Sequence, residues 1–249
     1  MRQFGLIGYP LSHSFSQQFF TKKFHKEEIT DAEYKLYPLQ TIQDFLALIE
    51  EHPDLLGLNV TTPYKEQIIP FLAEIDPASK GIGAVNVLKK LASGGWKGYN
   101  SDYYGFASTL LSLGKREYWM GKSALVFGSG GSAKAVKRVL ESLDISFVTV
   151  SRSDQNQFLS YQSLQADHIR SSDILINCTP VGMYPNIENR IPIPYDAITD
   201  SHLVIDLIYN PERTRFLEEA EARGAHIVNG FYMLRTQAEK AWEIWNSEE

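Results

Sequence analysis

The chain has 249 residues, 43% hydrophobic and 22% charged, which is enough apolar material for one large or two ordinary folded domains. Its formal charge of −6 without a basic run disfavours nucleic acid and anionic membrane as partners, and Cys178 as the only cysteine excludes an internal disulfide. No run approaches the roughly 18 to 20 apolar residues of a membrane helix, the six histidines lack metal-ligand spacing, and a cytoplasmic protein without a metal is expected.

In chain order, 3–8 reads as a buried strand, 9–12 as a loop, and 13–26 as a helix with Phe15, Phe19, Phe20 and Phe24 on one face. A second strand is expected over 33–39, then a helix capped by Thr41 that turns Phe45, Leu48 and Ile49 inward, then a third strand over 55–60. Alternation of strand and helix implies a largely parallel sheet covered on both faces. Residues 84–91 and 96–99, joined by Ala92-Ser93-Gly94-Gly95, read as a hairpin on its edge.

The stretch Asn59-Val60-Thr61-Thr62-Pro63-Tyr64-Lys65 packs an amide, two hydroxyls and an amine directly after the third strand. Pro63 suits the first turn of a helix, which puts Lys65 at a strand-to-helix corner. Asn and Thr offer the short directional donors and acceptors that read hydroxyls on a small polar molecule, and a lysine ammonium can deliver a proton. Asn59-Val60-Thr61 and Asn177-Cys178-Thr179 also match the glycosylation pattern, which matters only in a secreted chain.

A new helix begins after Asn100-Ser101, with Asp102 as its expected N-cap and Phe106, Leu110 and Leu113 inward, and the first domain boundary is placed here. The second domain is expected over 102–229. The first comprises 1–101 with a final helix, 231–245, that returns to it, so that 230–249 belong to the first domain. Residues 123–127 form a strand that runs into Gly128-Ser129-Gly130-Gly131-Ser132-Ala133 and a helix, and a strand at 147–150 completes a mononucleotide-binding half. Gly128 makes the turn, Gly130 admits a pyrophosphate and Ala133 permits close helix packing. Further strands are expected at 174–177, 203–206 and 226–228, with a helix at 214–223. After the second strand of the unit, Ser151-Arg152-Ser153 offers a guanidinium and two hydroxyls for the 2′-phosphate of NADP, whereas Asp154 would repel it. Trp242 and Trp245 are expected to be packing anchors, and His13 a structural histidine.

Taken together these motifs resemble the shikimate dehydrogenase family along almost the whole chain. The segments that carry the resemblance are 8–10 with 13–16, 59–65, 83–86, 98–102, the glycine loop, 177–183, 206–211 and 230–237. The resemblance implies an α/β fold of two α/β domains around a cleft, the second a Rossmann-like dinucleotide-binding domain. It implies NADP-dependent, reversible reduction of 3-dehydroshikimate to shikimate in aromatic amino-acid biosynthesis, in a monomer or homodimer. Lys65 and Asp102 would be catalytic, and Ser14, Ser16, Asn59, Thr61, Asn86, Tyr209 and Gln237 would hold the substrate. Gly128, Ser129, Gly130, Gly131, Ser132, Ser151, Arg152, Ser153, Thr179, Leu207 and Gly230 would line NADP. Gln17 stands where the family usually has proline, and Gln155 and Asn156 where a second basic residue is usual. A quinate/shikimate enzyme with NAD or mixed cofactor use, and a non-catalytic dinucleotide-binding regulator, stay open as alternatives.

Overall fold

The computed structural model describes residues 1–11, 15–152 and 158–248. His13, Ser14, Ser153, Asp154, Gln155 and Asn156 therefore lie outside the described residues. Contacts divide the chain into two compact units, Met1–Tyr104 with Arg235–Glu249, and Gly105–Leu234. Both divisions fall inside helices, a few residues later than the sequence suggests.

In the first unit, β1 (Arg2–Gly8) lies between β2 (Ala32–Pro38) and β3 (Leu55–Val60), all parallel. The return connections are α1 (Phe15–Lys26) and α2 (Asp44–Glu51). Beyond β3 come β5 (Val87–Lys90) and β6 (Trp96–Tyr99), both antiparallel to their predecessors, and then β4 (Glu74–Ile75), which leads into the one-turn α3 (Pro77–Lys80). The sheet is thus mixed. The expected hairpin is not its edge, because the two-residue β4 pairs outside β6, too short to leave a periodic signal.

Successive side chains of a strand face opposite ways, and β1 supplies both faces. Ile7 joins a cluster with Phe45, Leu58, Tyr64 and Trp96, whereas Phe4 and Leu6 join Phe20, Phe24, Tyr34 and Trp245. The second cluster is closed by α9 (Phe231–Asn246). Trp245 stacks on Phe4 at 4.8 Å and donates its indole N–H to the Leu88 carbonyl at 2.9 Å. Gly57 makes room for it, since a Cβ there would strike the indole ring.

The second unit is a parallel sheet of β7 (Ser123–Phe127), β8 (Ser146–Ser151), β9 (Leu159–Ser160), β10 (Ile174–Asn177), β11 (Leu203–Asp206) and β12 (His226–Val228). Their order, β12-β11-β10-β7-β8-β9, is the doubly wound dinucleotide-fold order, with its switch point between β7 and β10. Its helices include the short α5 (Arg116–Trp119) and α7 (Ala166–Arg170), and the longer α6 (Gly131–Ser142) and α8 (Arg215–Glu221). Among the described residues no helix is long and apolar enough to cross a membrane, and no metal-holding group of His, Cys, Asp and Glu occurs.

Several local expectations change. No α-helix follows Pro63: residues 62–68 are turns leading to a short 3-10 helix, Ile69–Phe71. The reason is tertiary, because the Lys65 carbonyl accepts the Val85 N–H at 2.7 Å instead of an N–H of its own segment. Thr41 does not cap α2. Instead Asp44 Oδ2 reaches back to accept the Thr41 N–H. In α4 (Ser101–Leu113) the cap is Asn100, whose Oδ1 accepts the Tyr103 N–H at 3.0 Å, and Leu113 is exposed.

Trp245→Ala is expected to lower the unfolding free energy by about 3–5 kcal/mol in chemical denaturation. Trp245→Phe, which keeps the stacking and loses the bond to Leu88, should cost only about 1 kcal/mol. Equal losses would contradict a packing role for the indole.

Candidate active site

Pairing brings distant segments to one edge of the first sheet. Ile7 lies opposite Val60, Asn59 opposite Val87, and Val87 opposite Tyr99, so β1, β3 and β6 end where β5 begins. Asn59, Lys65, Asn86 and Asp102 gather at that edge. Lys65 is held from both sides of its turn, by the Val85 N–H and by the buried Tyr64, whose hydroxyl donates to the Leu39 carbonyl at 2.7 Å.

Lys65 Nζ lies 2.5 Å from Asp102 Oδ2, with side-chain exposures of 15% and 2%. A carboxylate buried this deeply needs more than one partner. Asp102 also accepts Asn86 Nδ2 at 2.9 Å and sits in the first turn of α4, where the positive end of the helix dipole favours an anion. Since Asn100 caps α4, the Asp102 side chain is released for the site. Asn86 is itself clamped, with Oδ1 accepting the Ser101 N–H at 2.7 Å. Its two Nδ2 protons are shared among Asp102, Ser101 Oγ and Gln237 Oε1, the last two at 3.1 Å.

Asn59 Oδ1 accepts the Tyr34 hydroxyl at 2.7 Å, and its Nδ2 lies 3.4 Å from the Asn86 carbonyl. Ser16 lies in the first turn of α1. Burial pushes the Tyr34 phenol well above the usual tyrosine range, with the Ser16 hydroxyl pulling it back. Thr61 is half-buried, its N–H donating to the Ile7 carbonyl. Asn59, Asn86, Asp102, Lys65 and Gln237 thus form one hydrogen-bonded set with Tyr34, the one member that sequence reasoning did not single out. The signal for Tyr34 was a tyrosine at an inward position of a strand, where its hydroxyl must find a partner.

In the second unit β7, β8, β10 and β11 also end at one edge, with Phe127 opposite Val150 and Asn177, and Asn177 opposite Asp206. Gly128 there has φ +106°, and a Cβ on it would crowd Thr179 and Cys178. Gly130 is the N-cap of α6 without a capping side chain, and a Cβ built on it meets nothing within 4 Å. With no acidic residue in the first turn, the N–H groups of Gly131 and Ser132 begin a helix whose positive end suits a phosphate. Ser129 and Ser151 approach to 3.5 Å between their hydroxyls. Arg152 is exposed at the end of β8, and its charge opposes the burial that raises Tyr161 to about 12. An uncapped helix start, a glycine cradle and a guanidinium are the donor set for a phosphorylated nucleotide.

Gly230 serves packing, since a Cβ on it would run into the Leu207 carbonyl. Tyr209 is half-buried in this unit, just after β11. Behind the edge lies a network that the sequence did not single out. Asp206, fully buried, accepts Thr214 Oγ1 at 2.6 Å, and the Ile208 N–H and Asn177 Nδ2, each at 3.0 Å. Asn177 Oδ1 accepts both the N–H and the hydroxyl of Thr179, at 2.9 and 2.7 Å. Two edge loops and the cap of α8 therefore hang on one carboxyl group.

Residues 6–88 match the family model for the shikimate dehydrogenase substrate binding domain. The NADP(+) shikimate dehydrogenase of Clostridium perfringens (strain ATCC 13124) is 38% identical, covering 99% of this chain and 93% of that protein. A crystal structure of a shikimate dehydrogenase in complex with NADP+ superimposes with TM-score 0.87 at 31% identity, covering 100% and 91%. That of the Thermus thermophilus enzyme in complex with NADP(H) and shikimate gives TM-score 0.84 at 26% identity, covering 99% and 94%.

Burial raises the Asp206 carboxyl from 3.8 to about 6, against the opposing bonds from Thr214, Ile208 and Asn177. The folded state thus holds this proton more tightly than the unfolded one. The resulting stability is fully present below 3.8 and is lost as the pH rises through about 6. Asp206→Asn should remove this component: measured by denaturation, the variant gains on the wild type by up to roughly 3 kcal/mol between pH 4 and pH 7. A pH-independent difference would count against a buried titrating carboxyl.

Proposed function

The chain belongs to the shikimate dehydrogenase family, and on that premise we propose that it is an NADP-dependent shikimate dehydrogenase, reversibly reducing 3-dehydroshikimate to shikimate. The observation that carries the reading is the Lys65–Asp102 pair, 2.5 Å apart and set among three amides at one sheet edge. In this reading the first unit holds the substrate and the second holds NADP.

NADPH supplies the hydride when bound. Lys65 then gives a proton to the substrate oxygen as negative charge develops there, and takes it back in the reverse direction. Asp102 keeps the lysine Nζ in place and, through its second oxygen, is tied to Asn86. It is also the group to accept a substrate hydroxyl. Ser16, Asn59, Asn86 and Gln237 supply hydroxyl and amide groups of both polarities, which suits a ring bearing several hydroxyls and a carboxylate. Ser14, Thr61 and Tyr209 complete the proposed substrate set.

Toward NADP, Gly128, Ser129, Gly130, Gly131 and Ser132 would take the diphosphate at the start of α6. Arg152, with Ser151 and Ser153, would take the 2′-phosphate by charge-assisted bonds. Thr179, Leu207 and Gly230 would supply the adjoining wall. The open space over Gly130 and the absence of a side-chain cap on α6 support this assignment.

The direct test follows NADP reduction at about 340 nm, the absorbance of the reduced nicotinamide, with shikimate as substrate. No turnover would sink the reading. Lys65→Ala is expected to lower kcat by about 10²- to 10⁴-fold while leaving the NADP dissociation constant unchanged. Near-normal turnover would remove Lys65 from the proton-transfer role. Arg152→Ala should raise the KM for NADP by about ten- to a hundredfold and leave that for NAD nearly constant. Equal effects on both cofactors would place the 2′-phosphate elsewhere.

A further inference from the structure

We propose that Tyr34 is a positioning residue of the substrate site: its buried hydroxyl, donated to Asn59 Oδ1, sets which way that amide faces and leaves the amide nitrogen as the group offered to a substrate oxygen. The inference rests on the assignment of Asn59 and Ser16 to substrate binding.

The strand register places the two residues. Phe4 of β1 lies opposite Tyr34 of β2, and Leu6 of β1 lies opposite Asn59 of β3. Residues two apart on a strand share a face, so Phe4, Leu6, Tyr34 and Asn59 all point the same way. Across β1 the Tyr34 hydroxyl reaches Asn59 Oδ1 at 2.7 Å. Its ring cannot swing aside, being stacked on Phe20 at 4.5 Å and packed by Trp245 at 6.2 Å. Tyr34 belongs to the core cluster of that face.

Chemistry then fixes the polarity. On one side of the Asn59 amide is the Asn86 carbonyl, which can only accept, so Nδ2 faces it at 3.4 Å. The other end is Oδ1, which requires a donor, and the phenol is that donor. With its one proton committed, the Tyr34 oxygen can only accept, and the Ser16 hydroxyl is the group whose pull on the phenol is felt there. The protons run in one direction from Tyr34 through Asn59 to the Asn86 carbonyl. A phenylalanine at this position would keep the ring packing and remove the donor. Asn59 Oδ1 would be left without its proton, and the amide would be free to turn over.

Wild-type turnover of shikimate with NADP is measured first, so that failure of the functional reading shows separately from failure of this inference. Tyr34→Phe is then expected to raise the KM for shikimate about tenfold, with kcat and the KM for NADP within about twofold of wild type. In the Asn59→Ala background the same change should add nothing, because its effect passes through that amide. An unchanged shikimate KM, or a rise that adds in full to that of Asn59→Ala, would overturn the proposal. A measurement on the unaltered protein guards against a variant that does not fold. The Tyr34 hydroxyl proton, bonded and buried, should appear as a slowly exchanging NMR resonance that shifts when shikimate is added. Its failure to respond to saturating shikimate would equally overturn the role.

Discussion

The organisation of the first unit depends on giving one buried carboxyl group its partners. Asp102 is almost wholly withdrawn from water, and an ammonium, an amide and a helix start converge on it. Each partner is in turn immobilised by a backbone bond from another segment. The Val85 N–H holds the Lys65 carbonyl, and the Ser101 N–H holds Asn86 Oδ1. This arrangement explains why the chain after β3 does not continue into a helix. A helix would satisfy the Lys65 carbonyl locally and release the residue from the sheet edge that aligns it with Asp102.

In the proposed reading the two units would meet their ligands by different physical means. At the edge of the first sheet the working groups are side chains: an amine, a carboxylate, amides and a hydroxyl, each oriented by a neighbour. At the edge of the second they are mostly backbone, with glycines that let a helix start lie open and a single guanidinium nearby. Side-chain chemistry suits a reaction in which a proton moves and hydroxyl positions must be read. Backbone N–H groups suit a diphosphate, which is charged and needs only to be held.

This difference also governs what could be read from the amino-acid sequence. The glycine loop and the strands ending at Val60, Phe127, Asn177 and Asp206 were legible because both rest on local signals, a run of apolar residues followed by turn chemistry. Lys65 stood out because an amide, two hydroxyls and its amine fall within seven residues at the end of a strand. The assignment of the α4 cap failed because Asn100 and Asp102 are both good caps two residues apart, and only the Lys65 partnership decides between them. Tyr34, despite its inward strand position, and Asp206 were missed as organisers for a further reason. Their partners, Asn59 in one case and Asn177 and Thr214 in the other, are set by strand register and loop path, which no short window contains.

The two Asn-x-Thr tripeptides show how the same three residues acquire a structural meaning. Asn59 is the penultimate residue of β3 and Asn177 closes β10, each strand lying near the centre of its sheet. In each the amide oxygen is bonded within the fold and one amide proton faces a neighbouring acceptor. Asn177 spends its oxygen on Thr179 and its nitrogen on Asp206, tying the loop that follows to the strand beside it. Asn59 takes the Tyr34 proton at its oxygen and turns its nitrogen toward Asn86, tying its strand to the core behind and to the ion pair in front. An asparagine can do this because it is the shortest side chain that carries a donor and an acceptor at fixed separation. At the end of a strand it therefore converts a register, which is a property of the whole sheet, into the orientation of one polar group.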